Sequence, residues 1–185
     1  MDVLKCLMSL RAVRRFADKP VQDDIIRTVL EAARWCGSGK NGQPWQFIVI
    51  RQRNTLQELS KLGEFAGHLE NCDFAIALAI ASASYGDIFD TGRVAQSLML
   101  AASAFDIGSC IAFILPEDNE VRAQTVLRVP NSLVLRVIIS FGYPALRQKG
   151  EMPSGPPRDQ VLPMLGRKPL NTLVFREHYG APLYH

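Results

Sequence analysis

Three short polar segments hold the side chains of this sequence that could do chemistry. In the first, Leu10-Arg11-Ala12-Val13-Arg14-Arg15-Phe16, three arginines fall within five positions. Arginine presents forked donors matched to phosphate oxygens, so the cluster suits a phosphate clamp; it suits a solvated connector between helices as well. The second, Cys36-Gly37-Ser38-Gly39-Lys40-Asn41-Gly42-Gln43-Pro44-Trp45, joins glycines that bare backbone N–H groups to the short polar side chains of Ser38, Asn41 and Gln43. Either a ligand-facing loop or a structural turn fits that composition. A P-loop does not, for want of Gly-Lys-Ser/Thr after a four-residue gap. Nor does a dinucleotide fingerprint, because this loop leads from a helix into a strand. The third segment is Gly166-Arg167-Lys168-Pro169-Leu170, a basic pair whose use depends on where its surroundings dock.

The elements that must position these groups follow from periodicity. Val3, Leu4, Leu7 and Met8 predict a short opening helix. Asp23 and Asp24 ahead of Ile25, Ile26, Val29, Leu30 and Ala33 predict a second, ending at Gly37. Residues 46–51 read as a strand, and Asn54 as the cap of a helix carrying Leu56, Leu59 and Leu62. Residues 73–81 are apolar throughout, as a central strand buried on both faces should be. The longest helix is predicted over 87–105, where small residues permit close packing. Strands at 110–114 and 133–141 flank a helix over 116–127 that opens with Glu117 and Asp118. Interleaved strands and helices imply an α+β, three-layer fold.

Composition narrows the partners. The chain has 185 residues, suited to a single domain, and a net charge of +3, too small to argue for nucleic acid. That excess lies wholly in residues 147–185, where Arg147, Lys149, Arg158, Arg167, Lys168 and Arg176 face Glu151, Asp159 and Glu177. Six of the 11 prolines share this tail, so 145–169 is read as an extended arm that docks through Leu162, Met164, Leu165, Leu170, Leu173, Val174 and Phe175. Cys6, Cys36, Cys72 and Cys110 lack any Cys-x-x-Cys pairing, and His68, His178 and His185 lack zinc-ligand spacing to them. The cysteines are read as small core hydrophobes in a reducing compartment, and no metal site is expected. The N-terminus does not read as a signal peptide, and the longest apolar run is too short to span a bilayer, so the expected location is cytoplasmic.

Taken together, the segments resemble the FMN-dependent nitroreductase family. The likeness is carried in order by LRAVRRF, by Ala32-Ala33-Arg34-Trp35, and by the loop Gly37-Ser38-Gly39-Lys40-Asn41-Gly42-Gln43-Pro44-Trp45. It continues through Asp90-Thr91-Gly92, Ala95-Gln96, Leu100-Ala101-Ala102, Gly108-Ser109-Cys110, Phe141-Gly142-Tyr143-Pro144 and Arg167-Lys168-Pro169-Leu170. The resemblance implies a mixed, mostly antiparallel central sheet flanked by helices, over one domain spanning 1–185 whose arm (145–185) docks on the partner subunit. It implies a homodimer with FMN in two equivalent sites at the interface. By position, Arg11, Ala12 and Arg14 would hold the ribityl chain, phosphate and pyrimidine edge; Ser38, Asn41 and Gln43 would come from the partner subunit. Ala112 and Phe113 would approach the isoalloxazine ring, and Arg167 with Lys168 would complete the phosphate clamp.

The implied reaction needs no catalytic side chain. NAD(P)H would give hydride to flavin N5, and an electron-poor acceptor such as a nitroaromatic or quinone would take it in a ping-pong cycle. Alternatives on the same fold are reductive dehalogenation, flavin fragmentation, or a flavin-binding protein without steady turnover. Departures from the family pattern are Leu10 for its usual first arginine, Ala12 for serine, Gly37 for proline, and Phe113 and Ile114 at positions where glycines are common. Two lost donors would weaken FMN binding by about 1.5–3 kcal/mol each. Phe113 would narrow the face on which substrates stack.

Overall fold

The computed structural model describes residues 3–145, 168–181 and 183. The chain divides into two compact units, Met1–Ser154 and Gly155–His185. In chain order the first contains α1 (Val3–Ser9), α2 (Asp23–Arg34), β1 (Trp45–Ile50), α3 (Arg53–Leu59), β2 (Phe74–Ile80), α4 (Tyr85–Ser103), β3 (Gly108–Phe113), α5 (Glu117–Leu127) and β4 (Val134–Gly142). Each element expected from periodicity is present. The capping of α3 differs: Gln52 is its N-cap and Asn54 lies inside the first turn, making no cap bond.

The sheet order is β1-β2-β4-β3, and every neighbouring pair is antiparallel. Among the described residues the parallel component is confined to an isolated bridge between Ala12 and Ser109. All seven residues of β2 are buried, as its inner place requires. Alternation along the strands divides the core in two. Ile76, Leu78, Ile139 and Phe141 pack with Val29 and Ala33 of α2 and Val94 and Leu98 of α4. Ala75, Ala77, Ile138 and Ala112 pack on the other side with Leu56 and Leu59 of α3 and Ala123 of α5. The layers are thus helix, sheet, helix. Phe74 and Phe141, partners across β2 and β4, stack with ring centroids 5.0 Å apart.

Helix α4 links the two ends of this core. Ser84 caps its N-terminus by accepting the Asp87 N–H at 3.2 Å. Near its C-terminus, Cys6 of α1 lies 2.8 Å from the Ser103 hydroxyl. The described part of the second unit holds a 3₁₀ turn, Leu170–Thr172, and a Phe175–Tyr179 ring contact at 4.7 Å. Expectations for Arg167 and for 146–167 lie outside the described residues.

Candidate functional site

The arginine segment is laid along one edge of the sheet by Val13 and Phe16. Val13 donates to the Ser109 carbonyl at 2.9 Å, and Ala17 to the Tyr143 carbonyl at 2.8 Å. Gly108 and Gly142 are register partners on β3 and β4, and neither leaves room for a side chain. A Cβ on Gly108 would fall 2.6 Å from Val13 Cγ2, and one on Gly142 would fall 2.9 Å from the Phe16 ring. The glycine pair therefore makes the seat on which Val13 and Phe16 rest. Arg14, next to Val13 and two residues before Phe16, is left exposed, and Ala12 is exposed with it. Arg11 is half-buried: one Nη donates to the Leu10 carbonyl at 2.6 Å, while its buried Nε has no partner. The hydroxyl of Ser109, which pairs with Ala12, is also buried and unpartnered.

Under this edge lies a polar group that sequence reasoning missed. His68 Nδ1 is 2.8 Å from the Ser140 hydroxyl, which in turn donates to the Cys110 carbonyl at 3.3 Å. Burial lowers the His68 pKa from its ordinary 6.5; the Ile111 carbonyl partly offsets this, and the Arg14 charge lowers it further. Burial raises the Cys110 thiol, against the opposing effect of Arg14. The native state thus holds His68 neutral while an unfolded chain protonates it near 6.5. The associated stability is full above that pH and is lost as pH falls from there through the depressed folded value. His68→Gln is expected to flatten this decline, as checked by urea titrations in steps below pH 6.5.

The second polar segment is a tight loop between α2 and β1. Lys40, Asn41 and Gln43 have φ of 51°, 56° and 46°, left-handed values costing non-glycine residues about 1–2 kcal/mol each. Within the loop, Asn41 donates to the Ser38 carbonyl at 3.1 Å and Gln43 donates to the Ser38 hydroxyl at 2.9 Å. From outside, Asp90 of α4 accepts the Gly39 N–H at 2.9 Å with one carboxylate oxygen and the Arg93 guanidinium at 3.1 Å with the other. A groove of about 670 Å³ runs beside the loop, walled by Cys36, Gly37, Ile88, Phe89, Arg93 and Gln96. Cys36 is half-exposed there, which corrects its reading as a core residue; Cys6, Cys72 and Cys110 are buried and all four thiols are free. The strained loop is thus held in place from α4.

Within one subunit the two segments do not meet. Ser109 is level with Phe141 and Phe74, whereas Trp45, which follows the loop, is level with Ile80 at the far end of β2. Three strand spacings and six residues of β2 separate these corners, about 14 Å across and 20 Å along. Ala112 and Phe113 lie on β3 at the end away from Ser109; Ala112 is buried and Phe113 is 59% exposed. Lys168 is exposed in the second unit. Val3, Leu4, Leu7 and Met8 of α1 and Ile88 and Phe89 of α4 are exposed apolar side chains on the first unit. Among the described residues no group of three or more His, Cys, Asp or Glu could hold a metal ion, and no helix is long and apolar enough to cross a membrane.

Comparison with known proteins places the fold. A model of the Nitroreductase family matches residues 7–66 and 66–143. An Archaeoglobus fulgidus protein with the provisional name NADH dehydrogenase/NAD(P)H nitroreductase is 30% identical over 149 residues, 77% of this chain and 86% of that one. A Desulfovibrio desulfuricans structure, provisionally named a nitroreductase and solved in complex with FMN, superposes with a TM-score of 0.74 at 26% identity, covering 97% of this chain and 98% of that one. An FMN-dependent nitroreductase from Clostridium difficile shares the fold, with a TM-score of 0.75 at 23% identity over 89% of this chain and 97% of that one. The chain belongs to the nitroreductase family, a family of oxidoreductases.

Proposed function

We propose that this protein is an FMN-dependent oxidoreductase that takes reducing equivalents from NAD(P)H and delivers them to an electron-poor acceptor, such as a nitroaromatic or a quinone. The observation that carries the reading is the buried, unpartnered Arg11 Nε, next in the chain to Ala12, whose strand partner Ser109 also has a buried, unpartnered hydroxyl. Buried polar atoms without partners are uncommon, and an arginine donor in that state fits an anionic, oxygen-rich ligand such as FMN. When bound, FMN supplies the hydride chemistry. The chain's own part is to bind, orient and exclude. Arg11 and Arg14 hold the phosphate, ribityl chain and pyrimidine edge, and the backbone at Ala12 runs beside them. A cation at Arg11 favours negative charge on the pyrimidine edge. Ala112 and Phe113 flank the ring, and donor and acceptor occupy one face in turn.

The working unit in this reading is a homodimer. The arginine corner of one copy is completed by Ser38, Asn41 and Gln43 from the loop of the other, because one chain holds these corners too far apart to share a ligand. The exposed apolar residues of α1 and α4 support burial against a second copy. In this reading Arg167 and Lys168, adjacent in the sequence, complete the phosphate clamp. A cytoplasmic location suits a reaction that draws on NAD(P)H.

Purified protein loaded with FMN and dialysed is expected to stay yellow, bleach anaerobically with NADH or NADPH, and regain colour when a quinone or nitroaromatic is added. Protein that retains no FMN overturns the reading. Bleaching without recovery across an acceptor panel favours the flavin-binding alternative, or one of the other reactions of the fold, for which Phe113 at the ring face is the motivating residue.

A further inference from the structure

We propose that Asp90 is a positioning residue for the cofactor-facing loop, its carboxylate fixing Gly39 through one oxygen and, through the other, an Arg93 guanidinium that lies over Gly37. The proposal rests on the reading that loop 37–43 faces FMN. Asp90 sits on the buried stripe of α4, one turn before Val94 and two before Leu98, and is only 5% exposed. A carboxylate at such a place is costly unless its oxygens are satisfied. Both are satisfied by groups that belong to the loop or lie against it: the Gly39 N–H at 2.9 Å and Arg93 Nη1 at 3.1 Å. An apolar side chain would continue the stripe; the carboxylate instead ties the loop to the longest helix.

The loop needs such a tie. Its own bonds, Asn41 to Ser38, Gly42 to Gly39 and Gln43 to Ser38, link near neighbours and do not anchor it to the rest of the fold. Three left-handed residues, Lys40, Asn41 and Gln43, must nevertheless keep one shape. Gly37 contributes by what it lacks. A Cβ there would fall 2.9 Å from Arg93 Nη2, so the glycine that replaces the family's usual proline lets the guanidinium lie over the loop entrance. Asp90, Arg93 and Gly37 thus act as one latch, and Ser38 and Asn41 are aimed through it.

Two measurements test this on the dimeric protein. Amide hydrogen exchange of segment 37–43, read without FMN, should speed up at least tenfold in Asp90→Asn. FMN affinity, read by quenching of flavin fluorescence, should weaken at least tenfold, with the apoprotein melting temperature nearly unchanged. A merely structural Asp90 would lower the melting temperature and leave the affinity of the folded fraction alone. Coupling gives a further readout: Ser38→Ala should weaken FMN binding in the wild-type background and add less than twofold on top of Asp90→Asn. Should Asp90→Asn fail to fold, Gly37→Ala keeps Asp90 and displaces only the end of Arg93, and threefold or greater weakening is expected. Unchanged exchange, unchanged affinity in a folded variant, or full additivity with Ser38→Ala overturns the proposal. Wild-type protein that binds no FMN overturns the functional reading and this proposal with it; a wild type that binds FMN beside an equally tight Asp90→Asn overturns this proposal alone.

Discussion

Arg11→Ala is expected to lower FMN affinity by about 100-fold or more, the largest binding effect of any single substitution considered. A hydrogen bond to a charged group contributes about 1.5–3 kcal/mol, and a forked guanidinium makes two. Losing both amounts to roughly 3–6 kcal/mol, or about two to four decades of affinity. The position has little reserve, since Leu10 already stands where the family's first arginine would give a further donor. Fold stability should change little, because the native bond lost is one from Nη1 to the adjacent Leu10 carbonyl. Arg11→Lys separates charge from geometry: it keeps the cation and loses the fork, so its affinity should fall between the two. Fluorescence titration of the apoproteins gives all three values. Flavin affinity within threefold of wild type in Arg11→Ala would remove Arg11 from the clamp.

Gly63→Ala is expected to destabilise the first unit by about 3 kcal/mol, a drop in melting temperature of roughly 6–12 °C. A Cβ at Gly63 would stand 2.2 Å from the Phe113 carbonyl oxygen and 3.2 Å from Ala66 Cβ. The first neighbour is backbone at the end of β3 and cannot rotate aside, so the strand end or the turn must move. Gly86→Ala on α4 is the control, because nothing lies within 4 Å of the added carbon. Thermal unfolding of the three proteins is sufficient. Equal melting temperatures for Gly63→Ala and wild type would mean that the approach of the turn to β3 is slack. With Phe113 at the ring face as proposed, the same variant should also disturb flavin binding.

Every strand and helix of the sheet and its covering layers was legible in the sequence, the helices by their periods and β2 by its unbroken apolar run. The seven apolar residues of β2 and the stripe Val94, Leu98, Ala102 on α4 leave little choice of structure. The 3₁₀ turns at Gly39–Asn41 and Ala66–Leu69 were not legible: three or four residues carry no repeat to read. With the second turn went His68, whose importance lies in a contact with Ser140, 72 positions along the chain. Asp90 did leave a trace. A carboxylate continuing an apolar stripe four residues before Val94 asks for buried partners, but only the fold shows that Gly39 is one. Arg11 and Arg14 could be singled out by type, whereas their support could not. Gly108 and Gly142 become a seat only once antiparallel pairing sets them side by side.

The diagonal separation of the two corners bears on inheritance as much as on chemistry. In the proposed dimer each pocket draws its arginines from one copy and its loop from the other. Consider a mixed dimer in which one copy is defective at Arg11 and the other at Ser38. Both defects then fall in the same pocket, and the second pocket is wholly intact. Two alleles that are each inactive alone would therefore complement when expressed together, whereas two defects at the same corner would not. A sheet whose loop and arginine segment shared a corner would lack this property.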